Sequence, residues 1–161
     1  MPSFSTVRRV PFSPLEMFEV VADVEKYPEF LPLCESLTVL SRQSDGATTR
    51  LEARMGVGYK AIRETFTSRV TLDSAAPSIL AEYLDGPFRR LENRWRFLPA
   101  PGGSDIDFYV DYEFRSRVLA LLMGAVFDKA FRQFAGAFED RARQIYGRLA
   151  TAAIPPGSQQ F

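Results

Sequence analysis

Turn-forming residues recur about every ten residues through the middle of the sequence, and this spacing limits the fold more than any other feature. Between Glu35 and Arg115, five groups predict turns: Asp45-Gly46, Gly56-Val57-Gly58, Ser74 to Pro77, Asp85-Gly86-Pro87 and Pro99 to Ser104. The stretches between them alternate apolar and polar residues, most regularly from Ile106 to Phe114. Short alternating stretches joined by close turns predict an antiparallel meander of about six strands, with one covered and one wet face.

Helical signals lie on both sides of the meander. After a possible first strand from Phe4 to Val10, Ser13, Pro14 and Glu16 form a capping box that predicts a helix start. Tyr27-Pro28 and Leu31-Pro32 end that helix or break it into short turns, since a residue before proline avoids the helical region.

The last predicted element is a long helix from Arg117 to about Leu149, with Ser116 as its N-cap. A buried stripe is predicted at the three-and-four spacing, and it includes Met123, Phe127, Ala130, Phe131, Phe134, Phe138, either Arg141 or Ala142, Ile145 and Leu149. On its outer side, Asp128 precedes Arg132 and Glu139 precedes Arg143 at the spacing that favours ion pairs. Gly124 is the expected place for any bend.

This order of elements predicts an α+β fold, in which a curved antiparallel sheet of about seven strands wraps around the C-terminal helix. No linker divides the chain, so residues 1–150 are expected to form one domain and residues 151–161 a disordered tail.

Composition removes most catalytic chemistry. The chain has no histidine and one cysteine, Cys34, which excludes histidine-based triads, histidine-containing zinc sites and multi-cysteine metal cages. Its 20 basic and 20 acidic residues balance, which argues against DNA and other nucleic acids as general partners. Neither a signal peptide nor a spanning segment is recognisable, so we expect a cytoplasmic protein.

Polar residues in phase with apolar ones predict a ligand cavity under the sheet. Glu64 and Ser68 share a strand face with Phe66, and Asn93 shares one with Trp95. The expected cavity wall consists of Phe66, Trp95, Phe97, Val110, Tyr112, Met123 and Phe127, with Glu64, Ser68 and Asn93 as polar contacts. The alternative is a β-bulge that shifts the phase and leaves Glu64 in solvent.

Three further features have open interpretations. The run from Val118 to Phe127 is apolar nearly all round, so it is covered by loops, lines the cavity, or touches a membrane or a partner. Arg89 and Arg90 beside Gly86-Pro87-Phe88 predict a basic loop with an exposed aromatic, or simply a solvated face. Cys34 lacks a nearby base and is interpreted as a structural thiol.

Several segments resemble the coenzyme Q-binding START-domain family, within the polyketide cyclase and lipid-transport superfamily. The segment from Val24 to Cys34, which reads VEKYPEFLPLC, carries the strongest likeness. It is supported by Gly86-Pro87-Phe88 with Leu91 and Trp95 to Phe97, by Asp107 to Phe114, and by Val126-Phe127-Asp128 with Ala137 to Ala142. The resemblance implies a helix-grip fold with a hydrophobic tunnel.

The same resemblance implies two functions and leaves a third open. Members from respiring organisms bind ubiquinone and support electron transport, whereas closely similar bacterial members are described as ribosome-association toxins that act on the large subunit. An apolar cavity and a balanced charge favour the first. We therefore expect a non-catalytic ubiquinone carrier without a cofactor or metal, in the cytoplasm of a bacterium and in peripheral contact with the inner membrane. A cyclase or dehydratase is the third alternative.

Overall fold

The computed structural model describes residues 3–147, and these form a seven-stranded antiparallel sheet and two α-helices. The strands are β1 (Ser3–Val10), β2 (Cys34–Asp45), β3 (Thr48–Tyr59), β4 (Ile62–Asp73), β5 (Ser78–Asp85), β6 (Phe88–Ala100) and β7 (Gly103–Phe114). The helices are α1 (Pro14–Ala22), a 3-10 helix (Val24–Glu29) and α2 (Arg117–Ala142), which ends in a π-helical turn (Arg143–Gly147).

The sheet has the order β1-β7-β6-β5-β4-β3-β2, so β2 to β7 form the predicted meander and β1 adds to its far edge. Helix α2 packs against β7 and β1, and α1 packs against α2 and β6. The architecture is the α+β helix-grip fold that the sequence predicts. The capping box is also confirmed, because the Glu16 amide donates to the Ser13 hydroxyl and Glu16 accepts from the Ser13 amide.

One predicted turn is wrong. Gly56-Val57-Gly58 lies inside β3, and the chain reverses after Tyr59 instead. A Cβ atom on Gly56 would collide with the Ser36 hydroxyl, and one on Gly58 with the Glu35 carboxylate. These glycines therefore let β2 approach closely at an irregularity in its register, which is the other common reason for glycine in a strand.

The end of the long helix also differs from the prediction. The π-helical turn changes the phase of the side chains, so Ile145, expected in the buried stripe, is exposed. Tyr146 faces inward instead: its ring centroid lies 6.1 Å from that of Phe12, and its hydroxyl donates to the Glu16 carbonyl over 3.3 Å. Helix α2 is continuous through Gly124. Leu149 and the tail from residue 151 lie outside the described residues.

Both predicted ion pairs of α2 form, but Glu139 does not lie on its outer side. Glu139 is only 8% exposed and accepts hydrogen bonds of 2.6 Å from both Arg143 and Arg8. It thus connects α2 to the edge strand β1. Asp128 and Arg132 form the expected exposed pair at 3.0 Å.

Candidate functional site

An apolar cavity lies between the concave face of the sheet, helix α2 and the segment that contains the 3-10 helix. Its volume is about 110 Å³. Strands β2 to β6 contribute Leu37, Ala53, Met55, Val57, Phe66, Ser68, Val70, Ile79, Ala81, Leu91, Asn93 and Trp95 to the wall. Helix α2 contributes Phe127, Ala130, Phe131, Phe134 and Phe138, and the segment before β2 contributes Val24, Tyr27, Leu31, Pro32 and Leu33.

Small side chains in the centre of the sheet create this space. Ala53 on β3 lies opposite Ser68 on β4, and Ala81 on β5 lies opposite Asn93 on β6. Helix α2 rests on the β7 and β1 side of the sheet, so it does not fill the volume above these strands. A gap remains above Ala53, Ser68 and Ala81, because their side chains are too short to reach the helix.

Part of the cavity wall is accessible to solvent. Leu37, Met55 and Phe66 are register neighbours on β2, β3 and β4, and all three line the cavity while only half-buried. A long apolar molecule could therefore lie partly inside the cavity and extend outward past these side chains.

Among the polar groups of the wall, the Ser68 hydroxyl alone has no hydrogen-bond partner within the described chain. The Asn93 amide donates to the Tyr109 carbonyl over 2.9 Å and accepts from the Trp95 indole over 2.8 Å. The Tyr27 hydroxyl donates to the Val21 carbonyl, and burial raises the pKa of Tyr27 far above its usual range. Ser68 is thus the side chain most available to a ligand.

Five of the ten predicted site residues line this cavity, namely Phe66, Ser68, Asn93, Trp95 and Phe127. Phe97, Val110 and Met123 do not line it and are fully buried in the surrounding core. Tyr112 lies beyond it, next to the start of α2. Glu64 is half-buried on the same side of β4 as Phe66, but it is absent from the wall. The β3 and β4 register runs without a bulge, so the alternative of a phase slip at Glu64 is not observed.

Part of the cavity wall is not recognisable from the sequence. Phe134 and Phe138, predicted as core packing, both line the cavity. Leu31, Pro32 and Leu33 close it from the segment before β2, where Leu33 adopts a left-handed φ of 69°. The only available signal for this closing segment was the family resemblance of residues 24–34.

The start of α2 is exposed rather than covered by loops. Val118, Leu121 and Leu122 are 65%, 86% and 59% exposed. A surface pocket of about 610 Å³ lies beside them, between the end of β7 and the first turns of α2. Tyr112 lines this pocket; it is 2% exposed, its hydroxyl has no partner among the described residues, and burial raises its pKa to about 12.

The prediction that the basic loop exposes an aromatic side chain is wrong. Phe88 is 0% exposed and packs edge-on against Phe66, with ring centroids 5.4 Å apart. Arg90 bonds to Asp111 at 3.0 Å and to Glu113 at 2.5 Å, and it is therefore part of the outer sheet surface. Arg89 remains exposed, 3.5 Å from Glu113.

Cys34 behaves as a structural thiol. It is buried and unpaired, and burial raises the pKa of its thiol to about 11, which keeps it protonated at neutral pH. Within residues 3–147, no group of histidine, cysteine, aspartate or glutamate side chains is arranged to hold a metal ion. No helix in this range is long and apolar enough to cross a bilayer.

Comparison with known proteins matches residues 10–139 to the family described as polyketide cyclase / dehydrase and lipid transport. The ribosome association toxin RatA of Escherichia coli K12 is 35% identical over 91% of this chain and 90% of the relative. The mitochondrial coenzyme Q-binding protein COQ10 homolog B of Xenopus laevis is 34% identical over 93% of this chain and 63% of the relative.

Solved structures agree with these relationships. An 18 kDa protein from Caulobacter crescentus superposes with a TM-score of 0.75 at 35% identity, over 91% of this chain and 99% of that protein. The Zhui aromatase/cyclase from Streptomyces superposes with a TM-score of 0.77 at 19% identity, over 94% of this chain and 98% of that enzyme. At that identity the second likeness concerns the fold alone.

Proposed function

The chain belongs to the polyketide cyclase / dehydrase and lipid transport family, and we propose that residues 1–150 form one domain that binds ubiquinone or a similar isoprenoid lipid without altering it covalently. The observation that carries this proposal is an apolar cavity whose one uncommitted polar side chain is the hydroxyl of Ser68. The name of the coenzyme Q-binding relative supports the same class of ligand.

The chemistry of a quinone fits this wall. A quinone headgroup offers only carbonyl and methoxy acceptors, and the Ser68 hydroxyl can donate one hydrogen bond to it. The isoprenoid tail needs apolar surroundings, and each buried CH2 group contributes about 0.8 kcal/mol. The aromatic rings of Trp95, Phe131 and Phe134 provide such surroundings.

The size of the cavity indicates which part of the ligand lies inside the protein. Pockets that enclose a whole drug-sized molecule measure about 300–1,000 Å³, whereas this cavity measures about 110 Å³. We therefore place the headgroup inside, near Ser68, with the tail running out past Met55 and Phe66. Longer tails extend beyond the protein or widen the cavity.

The composition of the wall supports binding rather than catalysis. Acid–base catalysis needs a side chain whose pKa lies near the working pH. The wall carries the hydroxyls of Ser68 and Tyr27 and the amide of Asn93, and Tyr27 is protonated and bonded to Val21. Glu64, the carboxylate that the sequence suggested, is not part of the wall. A carrier that supports respiratory electron transport, in the cytoplasm beside the inner membrane, is the role that fits these properties.

The single tryptophan provides a direct assay. Trp95 lines the cavity, so a quinone bound there quenches its fluorescence. Titration with short-tailed ubiquinone should give saturable quenching. Ala76→Leu in the β4–β5 turn should bind as well as the wild type, whereas Ala81→Leu in the wall should not. Quenching that never saturates, or that is equal in both variants, would contradict the proposal.

Association with the large ribosomal subunit is the second candidate, and one observation favours it beyond the names of the RatA relatives. Arg50, Arg54 and Arg69 are exposed on β3 and β4, and none of them forms an ion pair within the described part of the chain. Free arginines are the groups that bind RNA phosphates. Sedimentation with purified large subunits tests this candidate: the wild type should co-sediment and Arg50→Glu/Arg54→Glu should not. Equal sedimentation, or none, would reject the arginine surface.

A further inference from the structure

We infer that the first turns of α2 dock on an anionic phospholipid bilayer, with the pocket beside them receiving a lipid phosphate. This inference rests on the proposed function, because it names the surface from which a lipid would enter the cavity. The surface consists of Val118, Leu121 and Leu122, and we refer to these three side chains as the apolar tip.

The apolar tip has the exposure and spacing of a membrane-inserting element. Its residues follow the i, i+3, i+4 spacing and therefore lie on one side of α2. Leu121, at 86% exposed, is the most exposed of the large apolar residues identified in the described chain. A cluster of large side chains in water is unfavourable unless a bilayer or a partner covers it.

Positive charge lies beside the apolar tip. Arg89, Arg115 and Arg117 line the neighbouring pocket. Arg117 is exposed and has no ion pair within residues 3–147, and Arg115 donates to the Phe88 carbonyl over 3.4 Å. Arginines around an exposed apolar cluster match a bilayer with anionic headgroups, since each such charge contributes favourably close to the surface.

The two carboxylates of the pocket do not cancel this charge. Glu113 accepts a 2.5 Å hydrogen bond from Arg90, and Asp128 accepts a 3.0 Å hydrogen bond from Arg132. Arg90 and Arg132, which lie outside the pocket wall, thus neutralise the two carboxylates, and Glu113 also lies 3.5 Å from Arg89. Arg115 and Arg117 remain for an external anion.

The interior of the pocket is prepared for a hydrogen-bonding ligand. The Tyr112 hydroxyl is buried without a hydrogen-bond partner among the described residues. Such a group lowers the stability of the fold unless a ligand or a water molecule supplies the missing hydrogen bond. The pocket also lies at the start of the 26-residue helix α2, where the helix dipole favours negative charge. An oxygen of the lipid phosphate or of its glycerol can accept a hydrogen bond from the Tyr112 hydroxyl, while Arg115 and Arg117 bind the negative charge of the phosphate.

The location connects this surface to the cavity. Phe127, which lines the cavity, follows Leu122 by five residues on α2. This corresponds to about 7.5 Å along the helix axis. A bilayer that covers the apolar tip therefore lies within one or two helical turns of the cavity wall.

Vesicle flotation of the full chain tests the inference. Wild-type protein should float with phosphatidylcholine vesicles that contain one-third phosphatidylglycerol and bind pure phosphatidylcholine much more weakly. Val118→Glu should lower the bound fraction by at least about tenfold, because it removes an inserting side chain. Val7→Glu is the matched control, since Val7 is 64% exposed on β1, and it should bind as the wild type does.

Two more variants separate the parts of the surface. Arg117→Gln should weaken anionic binding about fivefold, the effect of one cation near a charged surface. Gly124→Leu should fill the pocket without a collision, because a Cβ at Gly124 meets no atom within 4 Å. It should reduce the preference for phosphatidylglycerol while leaving the apolar tip intact.

The outcomes also separate this inference from the proposed function. Loss of flotation in Val118→Glu, with unchanged Trp95 quenching by short-tailed ubiquinone in vesicle-free solution, supports the docking surface. Flotation without any quenching would keep the docking surface and reject the quinone. Equal flotation of Val118→Glu and Val7→Glu, or equal binding to neutral and anionic vesicles, would overturn the inference even if quinone binds.

Discussion

Substitution of Ala81 by leucine should fill the cavity and separate ligand binding from folding. Ala81 lies on β5, where it pairs with Asn93 on β6 and with Val70 on β4, and its side chain forms part of the cavity wall. A leucine there extends three more carbon atoms into the empty volume. The backbone register on both sides of β5 stays the same.

The size of the expected effect follows from the cavity. An empty volume costs about 24 cal/mol per Å³, so the cavity volume of about 110 Å³ corresponds to roughly 2.6 kcal/mol. Three buried carbon atoms contribute roughly 2.4 kcal/mol at about 0.8 kcal/mol each. The free energy of unfolding of the ligand-free protein should therefore rise by about 1–2 kcal/mol, after some loss to imperfect packing.

Urea unfolding with and without short-tailed ubiquinone measures both effects. The ligand should raise the stability of the wild type through its binding to the folded state alone, and it should have no effect on Ala81→Leu. The control Ala76→Leu should respond to ligand as the wild type does. A variant that is destabilised by several kcal/mol would show that the wall is already filled. A fully stabilised variant that still responds to ubiquinone would show that the ligand binds elsewhere.

Three further predictions concern single side chains. Ser68→Ala should weaken ubiquinone binding about two- to tenfold in a fluorescence titration, since one hydrogen bond contributes about 0.5–1.5 kcal/mol. As a control, an isoprenoid without the quinone ring should bind the wild type and Ser68→Ala equally. The folded-state pKa of Cys34 is raised from 9.0 to about 11, so its contribution to stability is complete below pH 9 and lost as the pH rises through 11. Cys34→Ala should therefore show a shallower loss of stability over this pH range. An unchanged slope would contradict the raised pKa of Cys34. Glu139→Gln should lower the free energy of unfolding by about 1–3 kcal/mol in urea, whereas Asp128→Asn, at an exposed pair, should change it by less than about 0.5 kcal/mol.

The strand pattern was predictable from the sequence because alternation is a local property of each strand. Ile106, Phe108, Val110, Tyr112 and Phe114 were placed on the covered face, and all five are buried. The capping box was equally local. Such features depend on residues a few positions apart and not on the rest of the molecule.

The errors arose where contacts between distant elements decide the structure. The glycines of β3 predict a turn, but they make room for Ser36 and Glu35 on the neighbouring strand. The spacing along α2 predicts Glu139 in solvent, but its partner Arg8 lies 131 positions away in the sequence and draws it inward. Spacing along one helix does not contain that information.

The candidate site was predictable only in part for the same reason. Alternation gave the inward direction of Phe66, Ser68 and Trp95, but it does not show where a void remains between sheet and helix. That void depends on the small side chains of Ala53 and Ala81 and on the lateral position of α2. Phe97 and Val110 share the same face and are simply packed.

Mass spectrometry of an organic extract of the purified protein tests the central claim most directly. Wild-type protein from cells that make ubiquinone should yield ubiquinone, or a related isoprenoid lipid, in a fixed ratio to the protein. Ala81→Leu purified in parallel should yield much less, and Ala76→Leu should equal the wild type. An extract of the wild type without any isoprenoid lipid, or an equal yield from the variant with the filled cavity, would contradict the account.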